Sequence, residues 1–264
     1  MNSLSQQQLK HTRQLLQKKF RVERQQFLVE GFHCVEEALQ SDWNVDMLIG
    51  TENSYANNSA KHIHLLSKQK KIPLVEISTQ EIEKLSDTQT TQGIFAVVDK
   101  KKNWQLAEYV HAPHTLIVAF DAVSDPGNLG AMLRTCDWFG VDVVLLGKNC
   151  VELFNPKVLR ASMGAVFHLP IVEERNLAVE LQEFQLQHFS IFSTVANGNR
   201  SFYEIPPTLR NAKSVLVFGN EAHGISSELE QRSDGVFSIP KFGKAESLNV
   251  ASALSAVLAI WKMK

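Results

Sequence analysis

The chain has 264 residues, 44% of them hydrophobic and 21% charged, with 27 basic side chains against 28 acidic ones. This balance supports a real core of one or two domains and excludes both a disordered chain and a polycation built throughout for nucleic acid. Apolar runs such as Leu116 to Phe120 and Val143 to Leu146 are far shorter than the roughly 18 residues a membrane helix needs, and the first 20 residues hold no apolar signal segment. Three scattered cysteines, Cys34, Cys136 and Cys150, suit a reducing compartment, so a cytoplasmic protein without a membrane partner is expected.

Residues 1 to 24 carry Lys10, Arg13, Lys18, Lys19, Arg21 and Arg24 against Glu23, with Leu9, Leu16 and Phe20 at helical spacing. The pattern predicts a basic amphipathic helix that either faces solvent or lies along an RNA backbone. Strand-like and helix-like stretches then alternate: FLVEG (27–31), VEEALQ, VDMLIG (45–50), a polar helical stretch, IPLVEIS (72–78), IEKL and GIFAVVD (93–99). Such alternation predicts an α/β unit with a mostly parallel sheet. Lys100, Lys101, Lys102 and Asn103 interrupt it, which places a linker over 103–114 between an N-terminal domain, 1–102, and a second domain, 115–264. That second domain resumes with TLIVAFDAV (115–123), VDVVLLG (141–147), FHLPIV (167–172), FSIFSTVA (189–196), SVLVFGN (214–220) and GVFSIP (235–240), again α/β. With a core of its own, it is expected to fold without residues 1 to 100.

Several sites are disfavoured. In GNEAHGIS (219–226) the second glycine is followed by Ile225 instead of the lysine a P-loop needs, and no G-x-G-x-x-G occurs. The cysteines form no C-x-x-C pair and His62 and His64 stand alone in a polar stretch, so no metal site is expected.

Three strand-loop-helix segments are informative. In DAVSDPGNLGAMLRTCDWFG (121–140), Asp125 and Pro126 suit the N-cap and first helical position, and Gly140 suits the stop. Leu129, Met132, Leu133, Cys136 and Phe139 form one apolar stripe, while Gly127, Gly130 and Arg134 fall opposite. In SVLVFGNEAHGIS a buried-type strand ends at Gly219 and Glu221 sits in the tight loop beyond it. In FSIPKFGKAESLNVASALSAVLAIW (237–261), Ser247 or Asn249 is able to cap a helix that is apolar nearly all round, and therefore buried in a core or against another subunit.

Asn128, Gly130 and Arg134 as N-x-G-x-x-x-R, Gly219 to Gly224 as G-N-E-x-x-G, and Ile239 to Val250 as I-P-x-x-G-x-x-E-S-L-N-V closely resemble, in order and spacing, the three motifs of the SpoU (TrmH-like) RNA ribose 2′-O-methyltransferases of the SPOUT superfamily. The resemblance covers about residues 115 to 264; that of the first 100, through Glu30 and Gly31 in LVEGFHCVEEAL, is to the small ribosomal-protein-L30-like substrate-binding domain such enzymes often carry. Asn220 stands where that family often has Ser, and Ala251-Ser252 where it often has Ser-Val.

The resemblance implies an α/β catalytic domain with a deep trefoil knot, a homodimer with the site near the interface, and S-adenosyl-L-methionine as cofactor. By matching positions, Gly219, Ile239 and Leu248 line the cofactor pocket, with Thr194, Ala196 and Asn197 at its edge, and Gly219 leaves room for the adenosyl group. Arg134, Asn128, Glu221, Ser247 and Asn249 form the catalytic set. Family schemes give proton removal to the arginine; because a guanidinium of pKa about 12.5–13.8 stays protonated, stabilising the developing alkoxide and clamping the adjacent phosphate are easier roles. Asn128, Glu221, Ser247 and Asn249 then orient ribose, arginine and loops. The implied substrate is RNA, ribosomal RNA being favoured by the extra N-terminal domain. A tRNA 2′-O-methyltransferase, a base methyltransferase and a catalytically silent RNA-binding or ribosome-assembly factor are the alternatives.

Overall fold

The computed structural model describes residues 2–100, 104–198 and 200–263, so Lys101, Lys102 and Asn103, where the alternating pattern breaks off and the linker is expected to begin, lie outside the described residues. In chain order the first elements are β1 (Asn2–Ser3), α1 (Gln6–Gln14), α2 (Lys18–Arg24), β2 (Gln26–Glu30), α3 (Phe32–Gln40), β3 (Val45–Gly50), α4 (Glu52–Ala56), α5 (Lys61–Lys70), β4 (Leu74–Glu76), α6 (Thr79–Ile82) and β5 (Ile94–Asp99). They continue with β6 (Leu116–Phe120), α7 (Pro126–Trp138), β7 (Val143–Gly147), α8 (Pro156–Ser162), β8 (Ile171–Arg175), α9 (Leu177–Leu186), β9 (Ser190–Thr194), α10 (Pro207–Arg210), β10 (Ser214–Phe218), α11 (Ser227–Gln231), β11 (Gly235–Phe237) and α12 (Val250–Lys262). The chain forms two compact units, one of residues 1–102 with 152–168, the other of 103–151 with 169–264.

The first unit has a five-stranded sheet of order β1-β4-β3-β5-β2. It is mixed, not mostly parallel as the alternating pattern suggests: β4 pairs parallel with β1 and β3, whereas β5 runs antiparallel to both β2 and β3. Periodicity identifies strands but carries no information on their direction. Here β5, buried from Ile94 to Val98, inserts between β2 and β3. Against the sheet, α3 buries Cys34, Val35, Ala38 and Leu39. Gly31, at its N-cap with φ +97°, occupies a conformation that favours glycine.

Residues 152–168 complete this unit. Phe154 lies 4.5 Å from Phe27 and Phe167 lies 5.7 Å from Trp43, ring centre to ring centre, while Val158 and Leu159 are also buried. The expected strand over 167–172 therefore starts later, at Ile171: Phe167 belongs to a short 3-10 turn and to this aromatic cluster. The N-terminal basic helix is broken as well. It forms α1 and α2, separated where Leu15 buries into the core, and Arg21, only 3% exposed, pairs with Glu152 and donates to Leu15 O. Arg24 donates to His11 O and lies 5.2 Å from the Phe20 ring. Two of the six cations expected to face solvent or RNA thus serve the fold.

The second unit holds a six-stranded, all-parallel sheet of order β11-β9-β10-β6-β7-β8. Its central strands, β6 and β10, are buried at every position, as expected for a parallel sheet covered on both faces. Ile117, Ala119, Val143, Leu145, Val215 and Val217 pack with Leu181 and Phe184 of α9, and Trp104, Leu106, Tyr109 and Val110 cover the same core. The described part of the 103–114 stretch thus packs with the second unit. On the other side α12 lies along α7, with Thr135 and Ser255 hydroxyls 3.3 Å apart. No helix among the described residues is long and apolar enough to cross a membrane.

Candidate active site

The first informative loop leaves the carboxyl end of β6, where ligands of open parallel sheets collect. Asp121 N–H donates to Phe218 O of the neighbouring strand at 2.8 Å, and Ala122 then turns through a left-handed φ of +57°. Asp125 caps α7 by accepting from Asn128 N–H at 2.7 Å, with Pro126 first in the helix. The α7 stripe of Leu129, Met132, Leu133 and Cys136 is fully buried, and burial pushes the Cys136 thiol pKa far up, so it is an inert core group. Arg134 is exposed. Gly130, which the helical spacing puts opposite the apolar stripe with Arg134, is nevertheless buried.

The second loop, 219–224, is closed by reciprocal backbone bonds between Asn220 and Gly224 at 2.8 and 2.9 Å. A Cβ on Gly219 would stand 2.1–2.3 Å from backbone atoms of Gly224 and Ile225. The missing side chain therefore lets the loop close on itself, a role beside the one the resemblance implies for it, room for an adenosyl group. From this loop Glu221 reaches across to the first. It accepts from Asp125 N–H at 3.2 Å, from Ser124 N–H and Oγ at 3.3 Å, and from Asn128 Nδ2 at 3.0 Å. Partial burial opposes ionisation of Glu221, but the Asn128 amide and the backbone N–H groups outweigh it and hold the carboxyl below its ordinary range.

The third loop closes the constellation. Asn249 caps α12 by accepting from Ala251 and Ser252 N–H at 2.9 and 3.3 Å, and its own Nδ2 donates to Asn128 Oδ1 at 2.9 Å. Asn249, Asn128 and Glu221, 121 and 93 residues apart pairwise along this chain of bonds, form one continuous hydrogen-bonded line. Ser247 and Arg134 are exposed and stand outside it. Residues 241–249 are exposed throughout, including Phe242 at 96% and Leu248 at 56%.

The expected cofactor positions come from three adjacent strands of the order β11-β9-β10. Thr194 ends β9 with Ala196 and Asn197 beyond it, Gly219 comes directly after β10, and Ile239 lies just past β11, while Leu248 belongs to the third loop. The Thr194 hydroxyl oxygen is buried without a hydrogen-bond partner among the described residues. Ser124 escaped sequence reasoning because it looks like an ordinary loop serine, whereas Asn220 stands out there only as a replacement for the Ser frequent in the second motif, with no role attached to it. No cluster of metal-ligating side chains occurs among the described residues.

The model of the SpoU rRNA Methylase family matches residues 115–259, and that of the MRM3-like substrate binding domain matches 6–96. A 23S rRNA (guanosine(2553)-2′-O)-methyltransferase, RlmP of Bacillus subtilis, is 32% identical over 98% of this chain and 97% of its own. A 23S rRNA (guanosine-2′-O-)-methyltransferase, RlmB of Xylella fastidiosa, is 30% identical over 87% and 93%. An AdoMet-bound rRNA methyltransferase from Sinorhizobium meliloti, 26% identical, superposes with a TM-score of 0.84 over 99% of this chain and 96% of that one.

Proposed function

Since the chain belongs to the SpoU rRNA methylase family, we propose that it is an S-adenosyl-L-methionine-dependent methyltransferase acting on a ribose 2′-hydroxyl of ribosomal RNA. The observation that carries this reading is the Asn249–Asn128–Glu221 line, which joins all three motif loops at the carboxyl end of the parallel sheet. The choice of ribosomal RNA is supported by the activity named for the RlmP and RlmB relatives and by the substrate-binding module over 6–96. A cytoplasmic site of action accords with that substrate.

The residues present fit the cofactor. Thr194 offers an unpartnered buried hydroxyl, and Ala196, Asn197, Gly219 and Ile239 place backbone around the ends of β9, β10 and β11, with Leu248 as an exposed apolar wall. When bound, the sulfonium supplies an activated methyl that passes to the ribose oxygen and leaves a neutral thioether. The chain's own task is then the nucleophile. Arg134, an exposed guanidinium on α7, stabilises the developing alkoxide and grips the neighbouring phosphate. Glu221 and Asn128 lock the start of α7, Asn249 locks α12 to Asn128, and Ser247 orients the ribose, so that the hydroxyl is presented in line and loses its proton to solvent as the new bond forms.

The same reading includes a homodimer, a trefoil knot in the last third of the chain and an L30-like role for the first unit. A dimer through α7 and α12 is supported by Trp138, 84% exposed on α7, by Met263, 71% exposed just past α12, and by the half-buried Ala253, Ala256 and Ala259. Incubating the purified protein with methyl-labelled cofactor and total RNA, then mapping ribose methylation, tests the function. Label in a 23S ribosomal RNA ribose is the expected result, and label confined to tRNA or to a base overturns it.

A further inference from the structure

Asn220 uses its whole side chain. Its Oδ1 accepts from Ala222 N–H at 2.9 Å and His223 N–H at 3.1 Å, which organises its own loop. Its Nδ2 donates across to Ala122 O at 2.8 Å and stands 3.5 Å from Ser124 Oγ. Ala122 is the residue held at φ +57°, and it has a Cβ. A left-handed alanine costs a bias of roughly five- to thirtyfold against that conformation, so something must hold it there.

The conformation of Ala122 matters because of the residues just beyond it. Val123 is buried, its carbonyl accepting from Val151 N–H at 2.9 Å. Ser124 and Asp125 then turn their N–H groups onto Glu221, and Asp125 caps the helix that bears Asn128 and Arg134. If Ala122 relaxed to negative φ, the chain after it would leave along a different path and α7 would start elsewhere. Asp121, accepting from Ser226 N–H through Oδ2 at 2.9 Å, fixes the other side of the turn. The strained residue thus lies between two anchored points, and the Asn220 amide is the side-chain donor on its carbonyl.

We propose that Asn220 is a positioning residue: its amide donates to the Ala122 carbonyl, holds that residue left-handed, and so sets the register of the α7 start against Glu221. The substrate never touches it in this scheme. The consequence for the reaction rests on the methyltransfer reading above, whereas the consequence for the loop does not.

The test is a rescue. Asn220→Asp keeps the acceptor for Ala222 and His223 but loses the donor to Ala122, while Ala122→Gly makes positive φ free of steric cost. Asn220→Asp should lower the single-turnover methyl-transfer rate by about ten- to a hundredfold, the range for a misplacement of about an ångström, with the KM for RNA close to wild type. Ala122→Gly alone should stay near the wild-type rate, and the double variant should recover most of the loss. Hydrogen exchange at Ser124 and Asp125 N–H reads the same loop without any substrate: faster exchange in Asn220→Asp and restored protection in the double variant are expected. A double variant no faster and no better protected than Asn220→Asp overturns the proposal, as does wild-type protection in Asn220→Asp. Failure of methyl transfer in the wild-type protein on any RNA, with the exchange pattern as expected, counts against the function and leaves the loop mechanism standing.

Discussion

Asn249 and Asn128, 121 residues apart, meet amide to amide at 2.9 Å, so the cap of the last helix is also a strut for the start of α7. The two duties separate chemically. Asn249→Asp retains an oxygen for Ala251 and Ser252 N–H but has no hydrogen for Asn128 Oδ1. It should keep the melting temperature close to wild type and lower the methyl-transfer rate about tenfold or more. Asn249→Ala should lose both, with about 0.5–2 kcal/mol of stability gone with the cap. Thermal melts beside single-turnover rates distinguish the two.

Arg134 is exposed and outside the hydrogen-bonded line, so its removal should leave folding intact. Arg134→Ala is expected to reduce methyl transfer by about 10²- to 10⁴-fold, as for a positioned catalytic group, with cofactor affinity unchanged by calorimetry. Arg134→Lys keeps charge without the bidentate fork and should fall between. A near-normal single-turnover rate for Arg134→Ala removes it from the chemistry.

The donors around Glu221 set an acid limit. Its carboxyl ionises below the ordinary value of 4.5, so the ionised form that orders Ser124, Asp125 and Asn128 persists as pH falls and is lost only below that value. The contribution of this group to loop stability is therefore complete above about pH 4.5 and disappears as pH drops through the depressed pKa. Asn128→Ala removes one donor and should move the acid limb of the pH–rate profile upward, whatever it does to the plateau. An unmoved limb means that Glu221 does not set it.

The interior of the first unit changes the outlook for truncation. Cutting away residues 1 to 100 strips Phe154 and Phe167 of Phe27 and Trp43, and the unit in which Val158 and Leu159 are buried loses most of its chain, each large apolar side chain losing about 1.5–3 kcal/mol of burial. Such a fragment should aggregate or bind the dye ANS, contrary to the independence that the strand pattern of the second half suggests. Arg21→Ala leaves the buried Glu152 with Lys100 at 3.9 Å in place of its guanidinium and should cost up to about 3–5 kcal/mol, measured by denaturant titration. A soluble, cooperatively melting fragment refutes the first expectation.

Strand positions, helix caps and the three motif loops were legible in the amino-acid order. Asp125 and Pro126 announce a helix start by local chemistry, Asn249 is one of the two caps offered for the last helix, and β6 and β10 announce themselves as unbroken buried runs, because these signals act within a few residues. Tertiary structure alone decided the rest. Strand direction in the first sheet, the capture of residues 152–168 by that unit, the conversion of Arg21 from surface cation to buried ion pair, and the meeting of Asn128, Glu221 and Asn249 all join residues remote in sequence. A polar side chain reads the same in sequence whether it faces water or a partner a hundred residues away. Its partner is chosen only when the packed core brings the two within reach and removes the water between them.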